Sequence, residues 1–169
     1  GRFGSMIAKK YDQNIITLAL VRYAGVSPRT FDLLINIFRS LDEILLTEES
    51  ELAEIEGISA ESARRISKVD SHMEKAAGYF KELAQKNIRI VTRFDDDYPS
   101  HLLEINDPPP LLYNRGKMPE VNSKIISLIG TEEATQPGIA LTTKIAKLLV
   151  SKNIQVISSL KPGIDSAVH

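Results

Sequence analysis

Apolar residues recur at helical spacing through the first half of the chain and in short β-type runs through the second. Ile15, Leu18, Ala19 and Val21 predict a helix over residues 14–23. Ser27 and Pro28, a capping residue and a proline suited to the first turn, open another helix. It carries Phe31, Leu34, Ile35 and Phe38 on one face, to about Arg39. Ser40 and Glu43 have capping-box spacing and begin a short helix through Leu46. Ser71 and Glu74 repeat that spacing before a helix to about Lys86, which buries Met73, Ala76, Phe80 and Leu83 and ends at Asn87. The period then changes. Residues 88–92 alternate and are β-branched, which predicts a strand, and a second strand is expected over 111–114. Residues 124–169 read strand, turn, helix, strand, turn. An apolar run at 125–129 is broken at 130–138 by glycine, proline and hydroxyl residues. Leu141, Ile145, Leu148 and Leu149 mark a helix over 139–152, and 154–157 is another short run. That order is a βαβ unit with parallel strands and a right-handed crossover. Both of its turns fall at one edge of the sheet, where open α/β folds bind ligands.

One phrase occurs twice. Residues 20–29 and 52–61 each place an apolar residue before a Gly-Val/Ile-Ser turn and a new helix. The pair resembles helix-hairpin-helix motifs, whose hairpin offers backbone N–H groups to a nucleic-acid phosphate. Here Ser27 and Ser59 replace the usual second glycine. Asp42, Glu43, Glu48, Glu49, Glu51, Glu54, Glu56 and Glu61 surround the module, opposed by Arg29, Arg64, Arg65 and Lys68. That field repels phosphate, so packing or protein contact is favoured over direct DNA binding at this module.

Bulk composition narrows the classes. The 169 residues carry a net charge of -1, so any nucleic-acid contact must come from local patches or backbone amides. There is no cysteine, which excludes disulfides and thiolate chemistry. No run approaches the roughly 20 apolar residues that span a bilayer. With no signal peptide legible, a cytoplasmic protein without membrane contact is expected. Residues 1–5 read as a vector remnant. Asp95, Asp96 and Asp97 lack the glycine and distal glutamate of a calcium loop and read as a solvated turn. His72, His101 and His169 share no metal-ligand spacing. Ser158 or Ser159 with Asp165 and His169 offers the residue types of a triad without a nucleophile elbow.

The most distinctive phrase is 98–116. Tyr98-Pro99, then Leu102, then Ile105, Asp107, Pro108-Pro109-Pro110, Leu112-Tyr113 and Gly116, precedes an apolar strand ending in Gly130-Thr131. This resembles the DNA-processing protein A (DprA/Smf) family. The tail from Val156 to His169 is similar to that family's Ser-Gly-Leu-Ala-x-Gly-Ile-Asp-x-x-Ala-His phrase. The resemblance implies an α/β chain: a helical helix-hairpin-helix or SAM-like module over 6–70, then a partial extended Rossmann-like parallel sheet over 71–169. It further implies sequence-blind binding of single-stranded DNA, loading of RecA recombinase in natural transformation, and neither a catalytic reaction nor a cofactor. Carried over by position, Gly130, Thr131, Thr135 and Gly138 would line the first turn, and Ser158, Ser159 and Gly163 the second. Arg115 and Lys124, with Arg89, Arg93 and Lys117, would assist from the sheet's edge. Asp165 would cap a helix or bond a neighbouring loop, and could pair with His169 four residues on.

The family pattern is broken in four places. Glu132 stands where the family has arginine, with Glu133 beside it. Gln136-Pro137 replaces Pro-Tyr, Ser159 replaces a glycine, and Pro162 is unusual before Gly-Ile-Asp. Losing one phosphate contact flattens the salt dependence of log K by about 0.7 for a single strand. A sheet stopping after its second strand-to-helix step would expose an apolar face and an unpaired edge. That predicts a piece of a longer protein, rescued by pairing with another copy. Two other readings stay open: a protein-interaction module of this fold, and a nucleotide-binding Rossmann-like enzyme. The second lacks G-x-G-x-x-G, Walker A and Pro-Gly-Gly-x-Gly-Thr loops.

Overall fold

The computed structural model describes residues 11–119 and 123–169. The vector remnant expected at 1–5 lies outside them. The chain forms two compact units, the first ending at Met118 and the second beginning at Pro119. The unit boundary thus falls well beyond residue 70, because the first two strands pack with the helices of the first unit.

The first unit opens with α1 (Gln13–Arg22), capped by Asp12, whose carboxylate accepts from the Ile15 N–H at 2.9 Å. Then come α2 (Pro28–Ile37), α3 (Leu41–Leu46), α4 (Glu49–Ala53) and α5 (Ala60–Ser67). The repeated phrase is built the same way twice. Gly25 and Gly57 take left-handed φ of 66° and 95°. Val26 and Ile58 turn inward. Ser27 and Ser59 cap the next helix, accepting from Thr30 at 3.1 Å and Ser62 at 3.2 Å. Serine therefore serves as an N-cap, satisfying an amide that the helix itself leaves open. Ile16, Phe31, Leu34, Ile44, Leu52, Ile66 and Met73 form the main core, each at most 2% exposed. A buried side chain of this size stabilises by about 1.5–3 kcal/mol.

The capping box expected at Ser71 does not form. A 3₁₀ turn, Val69–His72, runs into α6 (Met73–Gln85), and the Ser71 hydroxyl donates back to the Lys68 carbonyl at 2.7 Å. Asn87 does end the helix, with φ of 56°. Next, β1 (Arg89–Thr92) pairs antiparallel with β2 (Leu111–Asn114), in the register Ile90↔Tyr113 and Thr92↔Leu111. Leu18, Leu83, Ile90 and Leu111 join this hairpin to α1 and α6. The proline-rich phrase has a packing role. The buried Tyr98 donates its hydroxyl to the Pro109 carbonyl at 2.8 Å, and Arg93 N–H donates to Pro110 at 3.2 Å. The acidic run between them is a turn. Asp95 accepts from Thr92 N–H at 2.6 Å, and Asp97 pairs with Arg89.

One core position is polar without a partner. Thr17 in α1 is fully buried, and its hydroxyl makes no hydrogen bond among the described residues. Replacing Thr17 by Val removes that unsatisfied group with little change of shape. It is expected to stabilise the first unit by about 1 kcal/mol, read as a higher urea midpoint. A lower midpoint would mean the hydroxyl is satisfied in solution.

The second unit is β3 (Ile125–Ser127), α7 (Gln136–Ser151), β4 (Gln155–Ile157) and α8 (Ile164–Val168). The strands are parallel, with Ile125↔Gln155 and Ser127↔Ile157, as the βαβ pattern predicts. The small sheet leaves much apolar surface in the open: Ile126, Ile157, Leu141 and Leu148 are each 40–59% exposed. Among the described residues no helix is long and apolar enough to cross a membrane.

Candidate functional site

The two strand-to-helix turns of the second unit lie against each other. Thr131 O accepts from the Ile164 N–H at 3.1 Å. Gly130 N–H donates to the Asp165 carboxylate at 2.9 Å, and the Ser159 hydroxyl donates to its other oxygen at 2.5 Å. Asp165, in the first turn of α8, is 6% exposed. Bonds from Ser159 and from the Gly130 amide hold its carboxyl below the usual carboxylate range. It is the residue that joins the two turns, the loop-bonding role expected of it. It does not pair with His169, whose Nε2 instead lies 3.3 Å from the Ser158 carbonyl.

Two glycines allow this approach. Gly163 takes φ of 88°, and a Cβ there would stand 2.3 Å from Thr131 O and 2.5 Å from Glu132 O. A Cβ on Gly130 would meet the Ile164 side chain at 2.6 Å. Both glycines are thus required by the neighbouring turn. Gly130 in particular has its amide committed to Asp165, so it is not a phosphate donor.

The hydroxyls divide into two groups. Ser158 donates to the Leu128 carbonyl at 2.6 Å, and Ser159 to Asp165, so both protons are used within the fold. Thr131 Oγ accepts from Glu133 N–H at 3.2 Å, and Thr135 Oγ caps α7 by accepting from Gly138 N–H at 3.3 Å. Each threonine keeps its own proton for an outside acceptor. The residue types of a triad do gather here, but His169 faces a carbonyl and neither serine proton faces the imidazole. No nucleophile and base are paired.

Exposed at this edge are Thr131, Glu132, Thr135 and the first turn of α7. The Thr131 and Glu132 N–H groups have no partner among the described residues. The 16-residue helix α7 adds the positive end of its dipole. The acidic departure is partly answered in place, because Lys161 pairs with Glu132 at 2.9 Å, both being solvent-exposed. Lys161 is a site residue that the sequence does not single out. Its one signal is its position, immediately before Pro162 in the second turn. Lys124 precedes β3, so it stands at the opposite end of the strand from the turns, and Arg115 belongs to the first unit. Neither is brought to this edge by the second unit.

Comparison with known proteins agrees with this architecture. Residues 89–169 match the family model described as DNA recombination-mediator protein A. Protein Smf of a Synechocystis strain is 30% identical over 156 residues, covering 90% of this chain and 39% of that protein. This chain is thus similar to the DprA/Smf family in sequence and in fold. The DNA processing protein DprA of Streptococcus pneumoniae is 31% identical over 75 residues, which are 44% of this chain and 26% of that protein. The X-ray structure of DprA from that organism shares the fold, with a TM-score of 0.68 at 22% identity, covering 94% of this chain and 53% of that one. The chain therefore spans about two-fifths of the Smf relative and half of the solved one.

Proposed function

We propose that this chain takes part in DNA processing during natural transformation, by binding single-stranded DNA and delivering it to RecA recombinase. Its partners in this reading are the DNA strand, the recombinase and a second copy of the chain. The observation that carries the reading is the exposed edge of the second unit. There the Thr131 and Glu132 amides have no partner among the described residues, and Thr131, Thr135 and the start of α7 are exposed. Such a set suits a phosphate whatever base is attached, because it reads charge and shape alone. The names of the relatives support a part in DNA processing and recombination.

Glu132 makes the reading testable. Glu132→Arg removes a carboxylate, adds a guanidinium and releases Lys161 from its ion pair. Affinity for a labelled oligothymidylate is expected to rise, and the slope of log K against log salt to steepen by about 0.7 for each further phosphate neutralised. Fluorescence anisotropy over a salt series measures both. An unchanged slope would remove this turn from the DNA site.

The exposed apolar residues favour a second reading, a protein-contact module. Ile129 is 78% and Leu160 82% exposed, beside the same turns. Under that reading Glu132→Arg leaves oligonucleotide affinity flat.

A further inference from the structure

The first unit carries a second concentration of ligand-type chemistry, at the end of α1 and along α6. The Arg22 guanidinium lies 4.0 Å from the centroid of the Tyr79 ring and 6.0 Å from that of Tyr23. Tyr23 in turn stacks on His72, with centroids 5.6 Å apart and planes 23° from parallel, and Lys75 Nζ stands 5.3 Å from its ring. Tyr113, on β2 opposite Ile90, is 48% exposed and within electrostatic reach of Arg22. Cations thus alternate with flat rings along one surface of a chain whose net charge is -1. Glu82, on the same helix, is engaged by Lys86 at 2.6 Å.

Gly78 supplies an independent observation. It lies inside α6, where glycine weakens a helix relative to alanine. A Cβ added there would meet nothing within 4 Å, so neither packing nor backbone conformation requires the glycine. Lys75, Gly78, Tyr79 and Glu82 share one face by their spacing. The bare backbone therefore lies beside the Arg22–Tyr79 pair, and leaves room for something from outside the chain to approach closely.

We infer that this face of α6, with Arg22 and Tyr113 as its open planes, is a stacking contact for the bases of single-stranded nucleic acid. Cations alternating with rings match a ligand that alternates phosphates with rings. A duplex keeps its ring faces stacked on one another and offers none. Arg22 remains solvent-exposed beside Tyr79, so its guanidinium is within reach of a base from outside the chain. The inference rests on the single-strand reading above, but assigns it residues on the other unit.

The test uses the full chain and a short oligothymidylate carrying 5-iododeoxyuridine, irradiated and mapped by peptide mass. Crosslinks are expected at Tyr113 or Tyr79, with quenching of tyrosine emission, which is readable because the chain has no Trp. Tyr113→Thr is expected to weaken binding about fivefold or more, and to leave affinity for an abasic oligonucleotide unchanged. Gly78→Gln is expected to raise thermal stability while weakening binding, a split that a purely structural glycine would not give. Crosslinks confined to residues 130–163, with both variants binding normally, would overturn this inference and leave the turn site standing. No binding to any oligonucleotide would overturn both.

Discussion

Gly163→Ala is expected to cost the second unit about 3 kcal/mol or more, while Gly116→Ala, at a similar backbone angle, costs about 1 kcal/mol. Both glycines have strongly positive φ, 88° and 96°. An L-residue at either position meets the strain of a left-handed conformation. The difference lies in what surrounds them. Nothing lies within 4 Å of a Cβ at Gly116, whereas at Gly163 two backbone oxygens of the other turn stand 2.3 and 2.5 Å away. Backbone oxygens cannot rotate aside as a side chain can, so the turns must part. Separating them removes the Ile164 N–H to Thr131 O bond and draws Asp165 away from Gly130. Hydrogen exchange reads the outcome directly. The amides of Leu128 and Gln155, which bond Ile157 and Lys124 across β3 and β4, should lose protection in the Gly163 variant and keep it in the Gly116 variant. Full protection of these amides in the Gly163 variant would mean that the turns are not interlocked.

Local chemistry makes most of the helices and strands legible in the sequence alone. Ser27 and Ser59 cap helices because their offset from a left-handed glycine is fixed along the chain, and a repeat of that offset is visible in sequence. The strand at 111–114 follows from prolines that forbid anything but an extended entry. Ser71 misleads because capping-box spacing does not reveal a competing acceptor. The Lys68 carbonyl takes the hydroxyl first, and a 3₁₀ turn results. The short α4 is not legible, since five residues are too few for a period to show.

The site is legible as a place and not as a set of bonds. Spacing locates both turns at one edge, and the family phrase marks Gly130, Ser158, Ser159 and Gly163. What those residues do depends on contacts across as many as 35 residues of sequence, such as Gly130 with Asp165. A glycine required by a neighbouring turn looks the same in sequence as one required by a phosphate. Glu132 likewise reads as an unopposed charge because Lys161 is 29 positions away, close only once the turns meet. The edge therefore keeps unpartnered amides at Thr131 and Glu132, while several residues that the family phrase assigns to the ligand instead hold the edge together.

Asp165 should make the second unit sensitive to acid. Its folded carboxyl lies below its ordinary value, which in an unfolded chain is about 3.9, because Ser159 and the Gly130 amide donate to the ionised form. A depressed acid contributes stability that is fully present above the unfolded value. That contribution is lost as pH falls through the folded one. Asp165→Asn keeps the shape and the acceptor for Gly130 but removes the charge, and sets an amide N–H₂ or a neutral oxygen against the Ser159 hydroxyl. At neutral pH the variant is expected to lose protection at Leu128 and Gln155, and to melt at a lower temperature. Below the usual carboxylate range the two proteins should converge, since the wild-type group is then neutral as well. Glu82 is also depressed, through Lys86, so acid weakens the first unit independently. Comparing the variant with the wild type at each pH cancels that common effect. A stability gap of constant size from neutral pH down through the folded carboxyl's titration would show that Asp165 acts by shape alone. A gap that closes would identify its charge as what holds the two turns, and with them the exposed edge, in register.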